Sequence, residues 1–184
     1  FQISKGFTYE FALSVNIIIA LFYPIYYTFY NKTTKNFNFI LFCKNISFIV
    51  IFPLIQLFFI SKICDPFVGV MFYLLLPITS FILIYSLLNY LVKTSNSKKI
   101  VFLKYYLILL ITVFADLYAV YEQPQVFAYN VFLGYFQGSI YDVGINISSS
   151  LKYFNAYKVS LAVVLIMFTY RKNLQKQIFA LIIF

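Results

Sequence analysis

The chain has no histidine and no tryptophan, one arginine (Arg171), two cysteines, five glycines and five acids in 184 residues. Without histidine, the common zinc sites, HExxH, Ser-His-Asp and Cys-His nucleophile systems and His-ligated haem cannot form within these residues. No GxxxxGK[ST] loop, no GxGxxG after a strand and no CxxC occurs either, which removes the usual phosphate cradles and dithiol chemistry. No cofactor and no metal are expected. Any catalysis would fall to carboxylates, Tyr, Lys or Ser.

Charge is also scarce. Charged residues make up 10% of the chain and hydrophobic ones 63%, with a mean hydropathy of +0.89. A soluble domain usually carries about 25% charged residues, so this chain cannot cover a water-facing globule. The composition predicts an all-α, polytopic transmembrane helix bundle with the lipid bilayer as its partner. The net charge of +9 then records loop lysines that set orientation, with no nucleic-acid partner. The 24 Phe and 18 Tyr, with many Ile, Asn and Lys, have AT-rich codons. Much of the aromatic excess therefore reads as genome composition.

What is present is a series of apolar runs. About five full spans are expected, over residues 9–30, 39–60, 67–92, 100–121 and 151–170, with the start of another at 177–184. Lys152 and Lys158, near the start of the fifth, are expected to snorkel outward. Pro24, Pro53 and Pro77 fall inside spans, where neighbouring groups must satisfy the carbonyls they free. Cys43 and Cys64 flank the second span and are expected as free thiols near opposite faces. The first residue is Phe1 and the last stretch is QIFALIIF, so the chain reads as a fragment of a larger protein, with no recognisable signal peptide.

Lysine and arginine divide ten to four between alternate ends. Lys32, Lys35, Lys44, Lys93, Lys98, Lys99, Lys104, Arg171, Lys172 and Lys176 share one side, and Lys5, Lys62, Lys152 and Lys158 the other. The positive-inside rule places loops 31–38, 93–99 and 171–176 in the cytoplasm, and the N-terminus and the 122–150 loop outside. All five acids fall on or toward the outer side.

The 122–150 loop is the one long non-span. It holds Gly134, Gly138 and Gly144 among closely spaced aromatics, a pattern for tight turns and a re-entrant or interface-hugging segment over the outer mouth of the bundle. Asp116, about one and a half turns inside the outer end of the fourth span, is the leading functional candidate, because an intramembrane acid needs a partner or a purpose. Lys152, Lys158 or a tyrosine hydroxyl are its expected partners. Glu122 and Asp142 follow as candidate polar groups. Asp116 and Glu122 at the entrance of the loop and Lys152 and Lys158 at its exit bracket it with opposite charges able to tie its ends together. Glu10, at the start of its helix, suits the helix dipole.

The run NVFLGYFQGSIYDV resembles an NPxxGYFxGPxYDE-like loop of uncharacterised bacterial multi-pass membrane proteins, some of which carry a C-terminal peptidase MA-like domain. The resemblance covers about fourteen residues and maps onto Asn130, Gly134, Tyr135, Phe136, Gly138, Tyr141 and Asp142. It departs at Val131, Ser139 and Val143, where the pattern has proline, proline and an acid. It implies a bacterial inner-membrane location, with any peptidase-like domain beyond Phe184 and no zinc ligand here. Three readings stand. The first is an anchoring and organising membrane domain, with further domains of the same chain or other membrane subunits as partners. The second is a transporter or channel subunit with Asp116 on the pathway. The third is an intramembrane enzyme acting on lipid-linked substrates through Asp116 and Asp142.

Overall fold

Apolar runs bounded by short polar turns become helices wherever the backbone can satisfy itself internally, which is the condition a bilayer imposes. The computed structural model describes residues 9–30, 39–59, 66–122, 127–137 and 147–183. Helix α1 spans Tyr9–Tyr30 and α2 Phe39–Phe59. Helix α3 (Pro66–Tyr73) passes through a π-helical turn, Leu74–Ile78, into α4 (Thr79–Thr94). Helix α5 is Lys98–Glu122, strands β1 (Phe127–Asn130) and β2 (Gly134–Gln137) form a hairpin, and α6 is Ser149–Ile183. Serines cap two of the starts. Ser97 Oγ accepts from the Ile100 N–H at 3.3 Å, and Ser148 Oγ from the Leu151 N–H at 3.1 Å.

Among the described residues, four helical stretches are long and apolar enough to cross a membrane: Tyr9–Phe29, Phe67–Thr94, Lys98–Glu122 and Ser149–Tyr170. Leu41–Ile51 of α2 is a shorter apolar stretch. The polarity is inverted relative to a soluble bundle. Phe22, Phe29, Leu103, Phe114, Met167 and Phe168 are exposed, while Asn16, Ser80, Asn130, Asn155 and Lys158 are buried. A membrane-embedded helical bundle accounts for both halves of that pattern.

Successive spans alternate in direction. One end gathers Tyr9, Phe72 and Leu151 in a single apolar cluster. At the other, Tyr27 OH donates to Asn89 Oδ1 at 2.9 Å and Lys93 Nζ to the Thr169 carbonyl. Between them runs the main core, where the α1, α2 and α4 rings interlock: Tyr23 meets Phe81 edge-on at 5.0 Å, and Phe42 lies 5.0 Å from Tyr85.

Tyrosine hydroxyls serve two of the prolines. Pro24 has no N–H for the Ala20 carbonyl four residues earlier, and Tyr105 OH of α5 donates to that oxygen at 2.9 Å. Pro53 leaves the Ile49 carbonyl in the same position, and Tyr73 OH donates to it at 2.8 Å. Pro77 lies instead inside the π-helical turn Leu74–Ile78, where the regular α-helical ladder is already interrupted. Some tyrosines thus have structural work beyond codon bias.

Two expectations change. The expected turn at 171–176, with a separate span from 177, is replaced by one helix that continues to Ile183. RKNLQK contains neither glycine nor proline, so charge marks the end of an apolar run there without ending the helix. The 93–99 loop is also shorter than its lysines suggest, since only Ser95 to Ser97 separate α4 from α5. Cys43 is a free thiol; Cys64 lies outside the described residues.

Candidate functional site

The expected re-entrant segment takes the form of a two-stranded antiparallel hairpin, with Phe127 opposite Gln137 and Asn130 opposite Gly134. Its three-residue turn, Val131 to Leu133, does not stay at the helix ends. Phe132 is buried in the main core with its ring 5.9 Å from that of Tyr105. Its carbonyl accepts a hydrogen bond from Asn16 Nδ2 at 3.0 Å. At 1.5 Å per residue, Asn16 is about 10 Å along α1 from Tyr9, so the tip reaches well into the depth of the spans.

Non-helical backbone at that depth must find its hydrogen bonds in the protein. Asn130 supplies most of them. Its Oδ1 accepts from the N–H groups of Phe132 (2.9 Å) and Leu133 (2.7 Å), and its Nδ2 donates to Asp116 Oδ2. Asn130 is thus a side chain that closes the turn and anchors it to α5. Gly134 completes the turn with φ of +105°, in the region that favours glycine. A Cβ there would stand 2.9 Å from Asn16 Nδ2. The glycine therefore serves both the turn and the close approach of α1.

Asp116 therefore has a partner, but not one of those expected. It lies half-buried and holds Asn130. Glu122 is exposed and accepts from Tyr118 OH on its own helix. The backbone of Tyr135 lies in β2. Gly138, Tyr141 and Asp142 lie outside the described residues. The structure thus joins Asp116, Asn130 and Gly134 into one arrangement and adds Asn16, which the sequence reading missed. Asn16 gave a weak signal as an amide in an apolar run, seven residues after Tyr9. Its Oδ1 is buried without a hydrogen-bond partner among the described residues.

A second polar cluster lies in the seam between α4 and α6, and it overturns the expectation for Lys158. That side chain does not snorkel. It is fully buried, and its Nζ donates to Ser80 Oγ at 2.7 Å and faces the Phe154 ring at 5.4 Å. Ser80 lies at the middle of Phe67–Thr94 and Lys158 at the middle of Ser149–Tyr170, a long way for an amine to reach either membrane surface. Lys152, six residues earlier, is exposed. One helical turn before Lys158, Asn155 Oδ1 accepts from Thr79 Oγ1 at 2.8 Å while its Nδ2 donates to the Leu151 carbonyl at 2.8 Å. Thr79 directly follows the π-helical turn. Four polar side chains thus converge beside the one irregular turn of the α3–α4 span.

Phe154 connects the clusters. Its ring lies 5.0 Å from that of Tyr129 in β1 and also faces the Lys158 amine. Among the described residues, no group of three or more Cys, Asp or Glu side chains could hold a metal ion. No protein-family model matches this chain, and no curated protein or solved structure is significantly similar to it.

Proposed function

We propose that this chain is an anchoring and organising membrane domain of a larger bacterial inner-membrane protein, and that its re-entrant hairpin seals and shapes the outer end of the bundle. The observation that carries the reading is the Asn130 side chain. It joins the Phe132 and Leu133 N–H groups to Asp116, so this carboxylate holds structure in place. The division of basic residues, ten against three once Lys158 is counted as buried at mid-span, supports an orientation with this end outside and the α4–α5 turn in the cytoplasm. The likeness of residues 130–143 to loops of bacterial multi-pass proteins supports the bacterial setting. Further domains of the same chain or other membrane subunits would meet the hairpin face. In proteoliposomes the chain should leave proton, potassium and chloride gradients at the lipid-only rate, with Asp116→Asn making no difference. A flux abolished by Asp116→Asn would sink this reading.

A second reading, solute or proton movement, draws on the α4–α6 seam, with Lys158 in place of Asp116. Buried polar and ionisable groups at mid-span, beside an irregular helical turn, are the arrangement in which membrane proteins place pathways. A flux lost in Lys158→Met but retained in Asp116→Asn would establish it. Enzymatic use of Asp116 and Asp142 is the weakest reading, because Asp116 is already engaged with Asn130.

A further inference from the structure

Helix α2 leans on α1 and α4 through long side chains. Asn45 Nδ2 donates to Tyr23 OH of α1 at 3.0 Å, and Phe42 stacks on Phe81 of α4 at 5.8 Å. Beside these contacts a cleft of about 430 Å³ opens outward, lined by Ile18, Phe22, Tyr26, Lys44, Phe48 and Ile49 among others. Clefts that take small ligands have volumes of about 300–1,000 Å³. In a membrane-embedded bundle this one faces acyl chains.

Its chemistry is graded along its length. Ile18, Phe22 and Phe48 give the deeper part an apolar wall, and all three are exposed to the surroundings. The other part carries Lys44. At 1.5 Å per residue that lysine is about 8 Å from the start of α2, and Tyr26 is about 6 Å from the end of α1, close enough to the helix ends for the ammonium to snorkel toward headgroups. Lys44 is exposed and makes no ion pair among the described residues. The described acids, Glu10, Asp116 and Glu122, all lie toward the opposite end of the bundle, while Lys93, Lys98, Lys99 and Lys104 share the Lys44 end. An amine above an apolar cleft, on a basic face with no described acid, selects for negative charge on the occupant.

We propose that the α1–α2 cleft binds one phospholipid with an anionic headgroup, its acyl chain against Ile18, Phe22 and Phe48 and its phosphate on the Lys44 ammonium. A zwitterionic headgroup would bring its own cation to the same place and lose part of that attraction. The inference rests on the membrane setting and is independent of whether the hairpin or the α4–α6 seam carries the function.

Native mass spectrometry tests it on the full chain in detergent, supplied with phosphatidylglycerol or phosphatidylcholine of matched chains. One phosphatidylglycerol should be retained about fivefold more tightly than phosphatidylcholine, the effect of one lysine at a lipid surface. Lys44→Gln, at an exposed position, should bring phosphatidylglycerol down to the phosphatidylcholine level, whereas Lys98→Gln, away from the cleft, should not. Ile18→Trp, filling the cleft from another exposed position, should reduce retention of both lipids. Equal retention of the two lipids by the unaltered chain would overturn the proposal. So would selectivity that survives Lys44→Gln, or a lipid-free dimer that buries the cleft against a second copy.

Discussion

The hairpin and the α4–α6 seam both bury polar groups within the depth of the spans, yet they do so on opposite terms. At the hairpin, the side chains answer a backbone requirement. Asn16 serves the Phe132 carbonyl, and Asn130 serves two turn N–H groups while holding Asp116. Remove one member and a backbone group loses its partner where no water replaces it. At the seam, the α4 and α6 backbones are helical, and Lys158 answers no backbone need. An ammonium has three donors, and Ser80 Oγ is the acceptor that Lys158 meets among the described residues. Polar groups that complete a backbone are required for folding, whereas a buried amine with spare donors is a cost that folding does not require.

That contrast is open to direct attack. The largest effect should come from Asn130→Leu, which strands two turn N–H groups and the Asp116 carboxylate. A loss of about 3–5 kcal/mol is expected, read as a lower midpoint in detergent unfolding and faster hydrogen exchange at residues 131–133. A near-neutral result would mean that the hairpin is not held as described.

Gly134→Ala should cost about 1–3 kcal/mol, because alanine resists φ of +105° and its Cβ meets Asn16. Pairing it with Asn16→Ala separates the two causes. The double variant should recover the part due to collision and none of the part due to backbone strain.

The proline-serving hydroxyls come next. Tyr105→Phe and Tyr73→Phe should each cost about 1–2 kcal/mol, since each leaves a carbonyl without its donor. Tyr121→Phe, on a ring that is 87% exposed, should stay within about 0.5 kcal/mol. Equal effects at all three positions would dissolve the link between tyrosine and proline.

The smallest change is expected at the seam. Lys158→Met keeps the length of the side chain and removes the buried charge, so stability should be unchanged or slightly higher. Ser80→Ala, which leaves the amine and removes its acceptor, should instead cost about 1–3 kcal/mol. If Lys158→Met destabilised as strongly as Asn130→Leu, the seam would be structural in the same sense as the hairpin.

How far the sequence can be read follows from the range of each interaction. Helices α1, α2, the α3–α4 span and α5 were legible to within a few residues, because hydrophobic run length is a local property that a bilayer enforces. Pro24 and Pro53 announced freed carbonyls, but the identity of the donors did not follow, because Tyr105 and Tyr73 belong to other helices. Asp116 was legible as an unusual acid, yet its partner lies fourteen residues later in a segment of another geometry. Lys158 was misread. With the start of that span hard to place from composition, a lysine in it has two ways to satisfy itself, outward to headgroups or inward to a polar neighbour. Choosing between them requires knowing that Ser80 faces it.

The sequence by itself therefore determined the apolar helices, the membrane-embedded class they point to and the absence of histidine. Each is set by composition and by run length against a bilayer of fixed thickness. Only the tertiary structure decided that the glycine-aromatic loop enters the bundle as a hairpin, with Asp116 and Asn16 attached to it, and that Lys158 turns inward. Those outcomes depend on which side chain meets which carbonyl across helices far apart in the chain. No local pattern encodes that choice, because the donor and its acceptor become neighbours only once the helices have packed.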